Sequence, residues 1–109
     1  MAYSPYRFAG PVSIPSVPTN LFTFTQPSII KQIILTNFTG GLLSFSMYLV
    51  PAGSQVGDNS NKLYGDYSLP ANSTVSFTHS LVVGTGEKIY AVANVPNSIN
   101  VIINGVTAG

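Results

Sequence analysis

The sequence predicts an all-β protein: an antiparallel β-sandwich, jelly-roll or immunoglobulin-like, of seven to eight short strands, with an extended N-terminal arm rich in proline and aromatic residues. Three observations predict it. Apolar residues recur at every second position in one segment after another, as half-buried antiparallel strands require. Clusters of Gly, Pro, Asn and Ser separate those segments at short intervals. No segment joins apolar spacing at three and four residues to helix formers and caps. A single sheet would leave one apolar face wet, so two sheets should pack face to face, about 10 Å apart.

Residues 1–19 read as the arm. Pro5, Pro11, Pro15 and Pro18 recur through it, and each removes a backbone donor and fixes φ, so no helix survives and a central strand is disfavoured. Tyr3, Tyr6 and Phe8 lie among these prolines. The segment is either a frayed terminus or an arm laid across a neighbouring subunit, where aromatics supply large contact area.

Residues 20–109 read as the sandwich domain. Phe22 and Phe24 alternate with Leu21, Thr23 and Thr25, Gln26-Pro27 interrupts, and Ile29 to Thr36 is a β-branched run broken by Lys31 and Gln32. Asn37 to Gly41 is a turn signal, with Gly40-Gly41 able to supply positive φ. The clearest strand follows, with Leu43, Phe45, Met47 and Leu49 on one face and Ser44, Ser46 and Tyr48 on the other. Pro51 to Asn61 is the longest loop. Leu63, Tyr67 and Leu69 then alternate with Lys62, Tyr64 and Asp66. Pro70-Ala71-Asn72 turns the chain into Val75 and Phe77, which alternate with Thr74, Ser76 and Thr78. Gly84-Thr85-Gly86 leads into Ile89, Ala91 and Ala93, and Val95-Pro96-Asn97-Ser98 into Ile99, Val101 and Ile103.

Charge is the unusual part of the composition. Charged residues make up 6% of the 109 positions and the net charge is +1, against about 25% charged in ordinary soluble domains. So little charge gives little repulsion between copies. Either partner subunits cover much of the surface, the reading favoured by the depletion of charge at interfaces, or uncharged Ser, Thr and Asn keep the exterior wet. With no basic cluster there is no footprint of nucleic-acid binding. The longest apolar runs, Ile33 to Leu35 and Met47 to Val50, are too short to span a bilayer, so no membrane partner is expected. No secretory signal peptide is visible at the N-terminus.

The groups of acid–base chemistry are scarce. Asp58, Asp66 and Glu87 are the acids, His79 is the single histidine, and there is no cysteine. No Gly-X-Ser-X-Gly elbow surrounds a serine, and one His without Cys cannot build a structural zinc site. Gly57 to Asn61 resembles a calcium loop only superficially, lacking the spaced acids and closing Glu. Gly84-Thr85-Gly86 has no third glycine and no following helix to cradle phosphate. Asn37-Phe38-Thr39 and Asn72-Ser73-Thr74 match the glycosylation pattern but read better as turns. The expectation is a protein without catalytic residues, metal site or cofactor.

Binding to other proteins is the alternative the residues offer. Leu42, Tyr48 and Val50 lie opposite the Leu43 to Leu49 stripe, Tyr90 and Val92 opposite Ile89 to Ala93, and Ile102 and Val106 opposite Ile99 to Ile103. Apolar bulk there marks an interface unless a sheet or the arm covers it. The candidate interface residues are therefore Tyr3, Tyr6, Phe8, Leu42, Tyr48, Tyr90 and Ile102. A sugar site is a second candidate, lined by Tyr64, Tyr67 and the Gly57 to Asn61 loop.

The stretch Asn20 to Val106 also resembles a known family. The residues that carry the resemblance are Lys31 to Asn37 followed by Thr39-Gly40, Tyr48-Leu49-Val50-Pro51-Ala52-Gly53, Leu63-Tyr64, Ser68 to Thr74, Leu81-Val82-Val83 with Gly86-Glu87-Lys88-Ile89, and Ile99-Asn100-Val101 with Asn104-Gly105-Val106. These are similar to the strands and turns of the small β-sandwich accessory proteins of tailed bacteriophage virions: capsid decoration (cement) proteins and related head- or tail-fibre modules. Glu87-Lys88 stands where the family has Asp-Lys, a change confined to a turn, and the arm matches nothing in the family. The resemblance implies a homo-oligomer, commonly a trimer, added to the outer capsid surface of the virion after synthesis in the bacterial host cytoplasm. Its implied partner is the major capsid protein or another virion protein, which it clamps so that the shell is stabilised. The alternative implied is a receptor- or glycan-binding head or tail-fibre module.

Overall fold

In the computed structural model, which describes residues 3–53 and 62–108, the expected sandwich has eight strands. They are β1 (Tyr3–Ser13), β2 (Thr19–Thr23), β3 (Ser28–Asn37), β4 (Leu43–Val50), β5 (Lys62–Leu69), β6 (Ser73–Val83), β7 (Lys88–Ala93) and β8 (Ile99–Ala108). One four-stranded sheet has the order β1-β8-β3-β6 and the other β2-β7-β4-β5, with every pairing antiparallel. The pairs nest as β1 with β8, β2 with β7, β3 with β6 and β4 with β5. That is one long hairpin wound up so that successive pairs fall in opposite sheets. The result is a jelly roll rather than an immunoglobulin sandwich.

Most of the inner faces are those that period-two alternation marks, but Val50, expected on the outer face of β4, is buried because the alternation breaks at the end of that strand. Ile33 and Leu35 of β3, Phe45 and Met47 of β4, Ile89 of β7, and Val101 and Ile103 of β8 are fully buried in one core. Burying each such side chain contributes about 1.5–3 kcal/mol. β3 keeps Ile30 and Ile33 inward, an odd separation, because the register shifts between Ile30 and Gln32 against both β6 and β8. Lys31 sits in that irregularity, exposed. The charged break in an apolar run is a bulge.

Two expectations are corrected. The boundary at residue 20 does not separate an arm from the sandwich, because Tyr3–Ser13 pairs along its length with β8 and Phe8 belongs to the core. β1 is an edge strand, the place in a sheet where prolines are tolerated, and its register breaks twice between Arg7 and Val12. The link after it crosses between sheets, tied by Ile14 N–H to the Ile99 carbonyl and Ala93 N–H to the Pro15 carbonyl, at 2.9 and 3.0 Å. The second correction concerns β5. Simple alternation puts Tyr64 and Tyr67 on opposite faces, yet the register against β4 shifts between Phe45–Tyr67 and Met47–Tyr64. Asp66 takes φ 45° there, and both tyrosine rings come to the same side, 6.4 Å apart, with Tyr64 packed against the core and Tyr67 at its exposed rim.

Candidate functional site

Aromatic clusters close both lateral seams of the roll. At one seam Phe8 of β1 and Phe22 of β2 meet with centroids 5.4 Å apart, each edge-on to Phe24 at 5.0 Å. At the other, Tyr64 of β5 stacks on Phe77 of β6 at 4.3 Å. Tyr67 lies 5.4 Å from Phe45. The Tyr64 hydroxyl hydrogen-bonds His79 Nε2. Burial pushes the Tyr64 phenol up to about 12, with the neighbouring Tyr67 phenol adding in the same direction. Tyr64 and His79 thus knit β5 to β6. The described acids serve turns and bulges: the Glu87 carboxylate accepts from Gly84 N–H at 2.6 Å, and at the bulge Asp66 donates its backbone N–H to Ser46 Oγ at 2.9 Å. The Gly57 to Asn61 loop, with Asp58, lies outside the described residues.

The interface candidates separate into six environments. Phe8 lies in the core rather than on an exposed arm, and what remains open of it faces the cavity beside β1 and β2. Tyr3 pairs through its backbone with Ala108. Tyr48 and Tyr90 are directly opposed on the outer face of the second sheet, in a row running Asn20, Tyr90, Tyr48, Lys62. Lys62 Nζ stands 5.9 Å above the Tyr48 ring, a cation–π contact. Ile102 lies beside Ile34 on the outer face of the first sheet. That face alternates by rows. Thr74, Thr36, Asn100 and Ser13 form a polar row, Gln32 and Asn104 belong to another, and apolar pairs such as Ile34–Ile102 and Ile29–Val106 fall between. The polar rows bond internally, Ser13 Oγ to Asn100 Oδ1 at 2.9 Å and the Thr36 and Thr74 hydroxyls at 3.1 Å. An uncharged polar exterior therefore exists on this sheet, the less favoured of the two explanations for the low charge.

Leu42 belongs to a grouping that alternation cannot reveal. The β1–β2, β3–β4, β5–β6 and β7–β8 connections gather at one end of the roll. They are cross-tied by Asn97 N–H to the Ile14 carbonyl, Asn72 N–H to the Thr39 carbonyl and Ser44 N–H to Asn94 Oδ1, at 3.2, 3.0 and 3.0 Å. Three of these loops hold out large apolar side chains: Val17 (62% exposed), Phe38 (50%), Leu42 (68%) and Val95 (42%). The sequence signal was present but faint, an apolar residue inside a turn cluster. At the opposite end, a cavity of about 300 Å³ opens beside β1 and β2. Its walls include Tyr6, which is 48% exposed, and Phe22, with Ser4, Gln26 and Thr107 as polar lining.

No protein-family model matches the sequence, and no curated protein matches it. Solved structures do match in fold. The chain superposes on one from the structure of infectious bursal disease virus Gx strain with TM-score 0.53 and 15% identity, covering 99% of this chain and 32% of that one. For the T13 viral particle of the same virus the values are 0.53 and 16%, covering 97% and 30%. For its VP2 subviral particle they are 0.51 and 17%, covering 99% and 33%. The chain spans about a third of the length of these virus-particle chains. At such identities the likeness is one of fold, and it extends over nearly all of this chain.

Proposed function

We propose that the chain is a structural virion protein, a decoration or cement subunit that binds the outer surface of a bacteriophage capsid and stabilises the shell. The observation that carries this reading is the jelly roll itself, shared over 97–99% of the chain with chains of virus particles. The resemblance of its strands and turns to decoration proteins supports the accessory role. The end bearing Val17, Phe38, Leu42 and Val95 is the surface that meets the major capsid protein. Binding the assembled shell and not its dissociated subunits stabilises the shell by mass action.

The test is made on purified particles. Quantitative mass spectrometry should find hundreds of copies per particle, and particles lacking the chain should lose infectivity faster under heat or chelation. A Phe38→Asp, Leu42→Asp double variant, altered only at exposed positions, should stay folded and fail to rebind depleted particles. A dozen copies at a vertex or tail, or unchanged particle stability, would refute the cement role.

The cavity beside Tyr6 favours a second reading, a glycan-binding head or fibre module. Aromatic walls suit the apolar face of a sugar ring, and uncharged amide and hydroxyl groups suit its hydroxyls. Tyr64 and Tyr67 serve the inner seam instead. Glycan-array binding that Tyr6→Ala abolishes and Tyr64→Phe leaves intact would establish this reading; a blank array would dismiss it.

A further inference from the structure

The four sheet edges are unequal. β1 carries Pro5 and Pro11 and two register breaks. β2 has only five residues and a break of its own. β5 is interrupted at Asp66 and begins with Lys62. Short length, proline, charge and bulges are the devices by which sheets discourage further pairing. β6 has only one of them, the register shift against β3 that falls between Thr78 and Leu81 on its paired side. It runs for 11 residues, Ser73–Val83, without Pro, Gly, Lys, Arg, Asp or Glu, and its inside–outside alternation is unbroken. Among the described residues no strand pairs with its outer edge. Its inward side chains Val75, Phe77 and Leu81 stay half-buried, whereas inward residues of central β3 and β8 are fully buried.

The sequence of β6 is also nearly symmetric about Thr78. Placed antiparallel to a copy of itself in that register, Thr78 faces Thr78, Phe77 faces His79, Ser76 faces Ser80 and Val75 faces Leu81. Inward residues meet inward and outward meet outward. Every central pair is of a type that stabilises antiparallel strands: hydroxyl with hydroxyl, ring with ring, aliphatic with aliphatic. From this edge and this symmetry we propose that β6 pairs antiparallel with β6 of a second copy across a two-fold axis at Thr78. The two four-stranded sheets then join into one continuous sheet of eight. A two-fold contact between identical surfaces is the commonest way for soluble chains to associate, and strand addition at an open edge is an established mode of recognition. The contact stands apart from the loop end assigned to the capsid. Within a trimeric assembly it would join one trimer to the next.

The chain has no cysteine, so single-cysteine variants report the register directly. Residues directly opposed across an antiparallel pair have Cα atoms about 4.5–5.5 Å apart, within disulfide range. In the proposed register, Thr74 and its counterpart lie roughly 27 Å apart, eight residues along the strand. Under mild oxidation Thr78→Cys should therefore form a covalent dimer at micromolar concentration and Thr74→Cys should not. The unmodified chain should sediment at a multiple of two times its 11.5 kDa mass. A Ser76→Lys, Ser80→Lys double variant places like charges face to face and should raise the dissociation constant about tenfold or more. Ser76→Lys with Ser80→Glu, which makes each facing pair opposite in sign, should restore association. A single-chain mass at high concentration, equal cross-linking of both cysteine variants, or cross-linking of neither would overturn the pairing. None of these outcomes depends on whether the chain binds a capsid.

Discussion

Asn37 shows how much of this fold rests on single polar side chains. It is fully buried at the end of β3. Its Nδ2 donates to the carbonyls of Gly41, Leu69 and Pro70 at 2.8, 3.0 and 3.1 Å. Its Oδ1 accepts from Thr39 N–H and Thr39 Oγ1 at 2.9 and 2.7 Å. The side chain therefore pins the β3–β4 turn to the end of β5, which is also the end bearing Phe38 and Leu42. Asn37→Ala strands those groups away from water and should cost about 2–4 kcal/mol in urea unfolding. Asn37→Asp should be at least as damaging at neutral pH, because a carboxylate cannot donate to carbonyls. Tyr64 gives a pH-dependent counterpart. Its folded phenol titrates near 12 against an ordinary value of 10. The stabilisation linked to the neutral form is complete below pH 10 and is lost as pH rises from 10 toward 12. Tyr64→Phe should remove a phenol titrating near 12 from an ultraviolet tyrosinate titration and flatten that alkaline loss.

At the scale of elements, the irregular strands explain where alternation misleads. The bulge in β5 is what allows Tyr64 and Tyr67 to come to the same side, and its left-handed residue is an aspartate, among the side chains that tolerate that conformation best. Asp66→Val should cost about 1–2 kcal/mol through backbone strain alone, while Asp66→Gly should fold nearly as well as the parent. Comparing their thermal midpoints separates conformation from the loss of the carboxylate. In β1 the matching constraint is Gly10, at φ 85°, where an added Cβ would land on the Val101 carbonyl oxygen. That contact is backbone against backbone in the β1–β8 ladder, so Gly10→Ala should loosen the strand and raise amide exchange along β1 and β8.

For the whole molecule, nested pairing makes the two ends of the chain neighbours. β1 covers β8 and supplies Phe8 to the core. Removing residues 1–13 should therefore abolish cooperative unfolding rather than yield a folded body without an arm, as circular dichroism melts would reveal. The seams behave alike: Phe8→Ala and Phe45→Ala each empty a ring-sized space and should cost about 3–5 kcal/mol. Low charge acquires a double explanation at this scale. Hydrogen-bonded Ser, Thr and Asn rows keep the first sheet's face wet, while the apolar loop end and the open β6 edge are the surfaces proposed above as interfaces.

The sandwich class, seven of the eight strands and most core positions of β4, β7 and β8 were legible in the order of residues, because the pleat has a period of two and burial selects one phase of it. The proline spacing correctly denied β1 a central place, but could not distinguish a free arm from an edge strand, since both are extended and both accept proline. Only the tertiary structure decided that distinction, the winding into a jelly roll, the common face of Tyr64 and Tyr67, and the meeting of Val17, Phe38, Leu42 and Val95 at one end. Each depends on which strand lies beside which, a property of contacts between residues far apart in the chain, and alternation within a segment carries no record of its distant neighbour.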